Sequence, residues 1–135
     1  MSLTINGSGG GTPVGTPTIE TGSYVGTGTY GSSNPMSFTF NGTPIYVCIV
    51  ASVDANGSFS GAQRMLEIYP QTLKSSNTQY GYKLTSSSNV YFSTSNYAKI
   101  NGKTVSWYTS QTGTTAPAYQ MNYIDITYYW FAITL

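Results

Sequence analysis

Tyr128-Tyr129-Trp130-Phe131-Ala132-Ile133-Thr134-Leu135 ends the chain with a bulky apolar side chain at nearly every position. Successive side chains of a strand point to opposite sides. Tyr129, Phe131, Ile133 and Leu135 therefore form one row, and Tyr128, Trp130 and Ala132 form the other. A surface strand in a single-copy protein would leave one of these rows facing water. Either the chain itself covers the sheet on both sides, or another copy covers the second side. The chain has few strands for double coverage, which favours an oligomer. The run from Ile45 to Val53 repeats the pattern, with Ile45, Val47, Ile49, Ala51 and Val53 on one side and Tyr46, Cys48 and Val50 on the other. Closed symmetric homo-oligomers are the usual cover for such a second face.

A length of 135 residues suits one domain with a single core. Charged residues make up 7% of the chain and histidine is absent, against a usual charged share of about 25%. With 13 Tyr, 5 Phe and 2 Trp and a net charge of +1, the chain lacks the signature of disorder. Arg64, Lys74, Lys83, Lys99 and Lys103 are too few and too scattered for the concentrated basic patch that nucleic acid or an anionic membrane requires. Cys48, the only cysteine, sits in an apolar run and reads as a buried, inert thiol. No segment reaches the roughly 18 apolar residues of a membrane span. Met1-Ser2-Leu3-Thr4 lacks the basic start and apolar core of a signal peptide. A protein of this kind working outside a cell would leave by another route, such as lysis, or belong to a longer chain.

Asn6 to Pro17 is a Gly-, Thr- and Pro-rich stretch, and residues 1–18 read as a flexible linker ahead of a β-domain spanning 19–135. Helical periodicity is nearly absent and β-formers dominate. Strands are expected at Ile19–Val25, Met36–Phe40, Ile45–Val53, Arg64–Tyr69, Gln79–Leu84, Asn89–Phe92, Tyr97–Ile100, Lys103–Tyr108, Ala118–Asn122 and Thr127–Leu135. Asn-Gly pairs at 41, 56 and 101 tolerate the backbone angles of tight turns, and Asn101-Gly102 marks the best hairpin. Short strands punctuated by turn signals mean an all-β fold, an antiparallel β-sandwich or jelly roll.

Gly26-Thr27-Gly28-Thr29-Tyr30-Gly31 has the spacing of a dinucleotide-binding turn, with Asp54 downstream. That motif works only where the glycines open a helix, and here Ser32-Ser33-Asn34-Pro35 and a strand follow. Asn6-Gly7-Ser8, Asn41-Gly42-Thr43 and Asn56-Gly57-Ser58 fit the glycosylation pattern but read as turn chemistry. Catalysis needs titratable groups of matched pKa. Glu20, Asp54, Glu67 and Asp125 are the only acids, so a two-carboxylate glycosidase is the one chemistry the inventory allows. No catalytic residue, transition-metal set or cofactor is assigned.

Tyr, Ser, Gly and Asn are the palette of binding loops, and flat rings beside amides or carboxylates suit sugars. Trp107-Tyr108 and Asn122-Tyr123-Ile124-Asp125 are the candidate clusters. Arg64, Trp107, Tyr108, Asn122, Tyr123 and Asp125 are the expected ligand contacts. For Trp107 and Tyr123, core packing or a subunit contact is the competing role.

Ile19 to Pro35 (Ile-Glu-Thr-Gly-Ser-Tyr-Val-Gly-Thr-Gly-Thr-Tyr-Gly-Ser-Ser-Asn-Pro) resembles the opening of C-terminal domains in bacteriophage tail fibres and minor tail structural proteins. Tyr119 to Asn122 and Thr127 to Ile133 resemble their closing strand. The two ends cover about a third of the chain, and the middle, from Asp54 to Asn96, carries no such signature. The resemblance implies an H-type-lectin-like β-sandwich, trimeric, at the tip of a virion fibre. Such a domain would be made in the bacterial cytoplasm and act outside the cell, joined to an upstream fibre or tail protein. The function expected is recognition of a bacterial surface glycan or other host receptor. The alternatives are a purely structural virion connector and, third, a polysaccharide-cleaving glycosidase.

Overall fold

The computed structural model describes residues 15–52, 63–79, 82–86, 90–91 and 94–135. Within them the chain is nearly all β, with ten strands: β1 Thr18–Val25, β2 Met36–Thr39, β3 Pro44–Ala51, β4 Gln63–Ile68, β5 Thr78–Gln79, β6 Tyr82–Ser86, β7 Val90–Tyr91, β8 Asn96–Asn101, β9 Thr104–Thr109 and β10 Thr127–Thr134. Two sheets form, one ordered β1-β10-β3-β4-β6-β7 and the other β2-β9-β8-β5. Every strand pairing is antiparallel.

The sheets share one core. Val47, Ile49, Leu66, Ile68, Tyr128 and Ala132 of the larger sheet meet Ala98, Val105 and Trp107 of the smaller. An aromatic cluster fills one end of this interior. Phe38 stands edge-on to Trp107 at 5.0 Å and lies 5.1 Å from Trp130. Tyr24 stacks on Tyr128 at 5.2 Å. Each ring removes on the order of 150–250 Å² from water, which offsets the scarcity of aliphatic side chains in this sequence. Trp130 lies across its cross-strand neighbour Gly22, where a Cβ would come within 2.6 Å of the indole. Glycine is required there because the ring occupies the space a side chain would take.

The alternation expected of the terminal segment holds. Tyr128, Trp130 and Ala132 face the core, and Tyr129 and Phe131 point outward. β3 follows the same rule, with Val47, Ile49 and Ala51 inside. The two strands are neighbours in the middle of the larger sheet.

Other expectations need correction. Ala118–Asn122, read as a strand, instead lies in a one-turn helix, α1 at Ala116–Tyr119, and the turn after it. Pro117 sits in its first turn, where a missing N–H costs nothing and the fixed φ suits a helix. The expected Gln79–Leu84 strand is divided between the sheets, Gln79 pairing with β8 and Tyr82–Leu84 with β4. In the β8–β9 hairpin Asn101 pairs with Thr104, so Gly102-Lys103 makes the turn. Gly102 has φ 58°, the positive angle that a type II′ turn places at its first central residue.

Thr18, assigned to the linker, already belongs to β1, and 1–14 lie outside the described residues, as do Asp54 and Asn56-Gly57. Asn41-Gly42 connects β2 in one sheet to β3 in the other. Glu20 fastens this crossing. Its carboxylate accepts hydrogen bonds from the backbone N–H groups of Asn41 (3.0 Å) and Gly42 (3.2 Å) and from the Thr134 hydroxyl (3.0 Å). The Asn41 N–H, above all, holds the carboxyl below its ordinary pKa.

Candidate functional site

A cleft of about 530 Å³ opens between the β1–β2 connection and the segment around α1. One wall is the connection after β1, contributing Thr27, Gly28 and Tyr30, and the other comes from 113–124, contributing Thr114, Pro117, Tyr123 and Ile124. The strand-to-strand connection 26–35 has no helix, so the glycines of the apparent dinucleotide motif serve a different purpose. Gly28 (φ 80°) and Gly31 (φ 89°) take left-handed conformations that are strained for residues with side chains. Gly26 lets two backbones touch, since a Cβ there would sit 2.0 Å from the Tyr123 carbonyl oxygen.

A dense set of hydrogen bonds fixes the two walls to each other. The Gly26 N–H donates to the Ile126 carbonyl (2.8 Å), the Gly28 N–H to the Asn122 carbonyl (2.8 Å) and the Asp125 N–H to the Gly26 carbonyl (3.1 Å). The Asn122 side chain completes the join. Its Oδ1 accepts from the Thr27 N–H at 3.0 Å, and its Nδ2 donates to the Thr29 carbonyl at 2.9 Å. From the core, the Tyr24 hydroxyl donates to the Met121 carbonyl at 2.6 Å and the Tyr128 hydroxyl accepts from the Tyr123 N–H at 3.0 Å. Burial pushes the Tyr128 phenol up to about 12 and raises Tyr24 further. Both stay neutral at ordinary pH, as the bond donated by Tyr24 requires, while the Tyr123 N–H on the Tyr128 oxygen partly opposes the rise.

Gln120 is the third anchor. Fully buried, it accepts at Oε1 from the Gly31 N–H (3.0 Å) and the Thr109 N–H (3.1 Å). Its Nε2 donates to the Asn34 carbonyl at 2.6 Å, and its own carbonyl accepts from the Trp107 indole at 3.0 Å. One amide thus ties β9, the β1–β2 connection and the segment after α1 together. A buried amide in this position is stabilising because its own side-chain oxygen, its side-chain nitrogen and its carbonyl all find partners.

The expected contact residues do not form one site. Tyr123 lines the cleft, and Asp125 is exposed on the same turn with φ 62°. Asn122 is only 2% exposed and Trp107 is wholly buried. Both act behind the surface: Asn122 clasps the cleft walls, and Trp107 packs in the core. Tyr108 lies on the outside of the smaller sheet, stacked on Tyr97 at 5.1 Å and accepting from Asn77 Nδ2 at 3.3 Å. Arg64 belongs to β4 in the larger sheet, and its side chain lies outside the described residues. Tyr30, Thr27 and Thr114 were not among the expected contacts, and Ile124 lies in the candidate cluster around Tyr123. A signal for the first two was present in the repeat of Thr21-Gly22-Ser23-Tyr24 as Thr27-Gly28-Thr29-Tyr30, whose second copy lies in the cleft wall.

The cleft offers phenol rings, threonine hydroxyls and an aliphatic side chain, and among the described residues no carboxylate lines it. Glu20 is engaged with Asn41 and Thr134, and Glu67 accepts from the Tyr46 hydroxyl at 2.6 Å. Among the described residues no group of three potential metal ligands occurs, and no helix is long and apolar enough to cross a membrane. Comparison with family models, curated proteins and solved structures finds no match to this chain.

Proposed function

We propose that the protein is a receptor-binding module of a phage tail fibre, an H-type-lectin-like β-sandwich assembled as a homotrimer on an upstream fibre or tail protein. It acts without catalysis, outside the cell, on a bacterial surface glycan or comparable host receptor. The observation that carries the reading is the cleft between Tyr30 and Tyr123. Sugars present C–H faces that stack on phenol rings and hydroxyls that need directional partners, and Thr27 and Thr114 stand beside the rings. The clasp made by Asn122 holds these walls in place before a ligand arrives, which lowers the ordering cost of binding. Three copies on one fibre multiply a weak single-site affinity.

Binding of the full chain to a glycan array and to intact bacterial cells tests this. Tyr30→Ala and Tyr123→Ala are expected to reduce binding at least tenfold, equivalent to about 1.4 kcal/mol, while the β spectrum persists. Binding that survives both substitutions overturns the cleft as the site. A second reading, a virion connector without a ligand, is favoured by the apolar outer side of the larger sheet. It requires that the wild-type chain bind neither cells nor glycans.

A further inference from the structure

The outer face of the six-stranded sheet is open along β1 and β10, while Cys48 at its middle is 3% exposed. On β1 it presents Ile19, 71% exposed, and Val25, 57% exposed; on β10 it presents Tyr129, 57% exposed, and Phe131, 38% exposed. These residues fall in cross-strand rows. Ile19 stands opposite Ile133, which stands opposite Tyr46; Ser23 stands opposite Tyr129, which stands opposite Val50. Phe131 lies against Tyr46, their ring centroids 5.8 Å apart.

We infer that this face is where sister copies of the chain meet, outer face against outer face around a common axis. The inference deepens the assembly part of the proposed function by naming the contact surface, and it is independent of the cleft and its ligand. Three observations select another copy as the occupant. The first is area: with large side chains contributing about 200 Å² each when open, the four exposed residues and half-buried Tyr46, Val50, Met65 and Ile133 expose about 600 Å². That is the upper limit of what monomers usually leave open, roughly 300–600 Å². With Thr21 and Ser23 in the same rows, it approaches the ~800 Å² per partner of a stable interface.

The second is charge. The register sets Glu67, hydrogen-bonded to Tyr46, opposite Lys83. One acid and one base balance, so identical faces approach without net repulsion. The third is supply. Residues 1–14 bring only Met1, Leu3, Ile5 and Val14, separated by a Ser-Gly-Gly-Gly run, and 53–62, 80–81, 87–89 and 92–93 add only Val53, Phe59, Tyr80 and Phe92 as large apolar side chains, scattered among Gly, Ser and Asn.

Sedimentation equilibrium of the full chain, up to about 100 μM where a contact of useful affinity is populated, tests the inference. The wild type is expected at a multiple of 14.5 kDa, and Tyr129→Lys at the single-copy mass with its β spectrum retained. Ile19→Lys, on the open edge strand where folding is least at risk, is expected to weaken association at least tenfold. Thr39→Lys, on the smaller sheet, is expected to leave the mass unchanged. A wild type of single-copy mass overturns the inference, as it would if the chain's own segments covered the face. A multimer whose folded Tyr129→Lys and Ile19→Lys variants keep the wild-type mass overturns the face but leaves the assembly standing. A face-sensitive dimer supports the face and overturns the trimer.

Discussion

The two sheets of this protein obey the same alternation inward and differ outward. On the smaller sheet, the positions alternate with buried Ala98, Val105 and Trp107 and are filled by Ser37, Thr39, Lys99, Thr104, Ser106, Tyr97 and Tyr108. Hydroxyls pair across strands there, as Thr39 does with Thr104 at 2.9 Å, and the one aromatic stack keeps polar tips. On the larger sheet the equivalent positions hold Ile19, Tyr46, Cys48, Val50, Tyr129 and Phe131, with Thr21, Ser23 and Glu67 among them. A solvated antiparallel sheet shows a polar outer face, so only the smaller sheet looks finished as a single copy. The difference locates the two surfaces where partners are expected: the cleft between the β1–β2 connection and the segment around α1, and the outside of the larger sheet.

The largest effect expected from a probe of this contrast is across the smaller sheet. Trp107→Ala empties the core and removes the donor to the Gln120 carbonyl, costing about 3–5 kcal/mol. By contrast Tyr108→Ala, its outward neighbour, is expected to cost about 1 kcal/mol; urea unfolding of both variants measures the gap. Equal costs would mean that the smaller sheet's outer side is itself covered.

Next is Gln120→Ala, which strands the Gly31 and Thr109 N–H groups. A loss of about 2–4 kcal/mol is expected, together with weaker cleft binding, because one wall loses its anchor. Stability should also fall at high pH. An unfolded tyrosine ionises near 10, while burial holds Tyr128 neutral up to about 12. The unfolded state therefore releases protons first, so stability is full below pH 10 and declines as pH rises towards 12. Thermal melts between pH 8 and 12 measure this, and a Tyr24→Phe variant should show a shallower decline.

The smallest effect probes the larger sheet. Cys48, 3% exposed, lies on its outer side directly opposite Phe131. Phe131→Ala is expected to raise the rate at which a thiol reagent modifies Cys48 about tenfold, with stability changed by about 1 kcal/mol. An unchanged rate would place the cover of Cys48 elsewhere.

Much of the fold was legible because a strand's two-residue period is written directly in the side chains. The rows of Tyr128 to Ile133 and of Tyr46 to Ala51 appear in the structure as read; a register shift between Ile133 and Thr134 interrupts the alternation there, and Leu135 lies beyond β10. Ala118–Asn122 is not extended because Pro117, whose ring and missing N–H favour a first helical turn, prevails over β-formers such as Tyr119. The site was less legible. Trp107 and Tyr108 are adjacent and equally aromatic, and only their parity relative to the core separates a buried ring from a surface one. Asn122 looked like a contact because an amide on a loop suits a ligand equally well whether it faces solvent or its own backbone.

The sequence alone determined that the chain is antiparallel β, that its last strand is apolar on both sides, and that nucleic acid or an anionic membrane has few and scattered basic residues to meet. These follow from composition and from a period of two, which are local. Tertiary structure decided which row of each strand faces the core, that Gln120 and Asn122 are buried anchors, and that Tyr30 and Tyr123, far apart in the chain, share one cleft. Those outcomes depend on how the two sheets stack and which loops meet, and non-local contacts of that kind leave no periodic mark on the sequence.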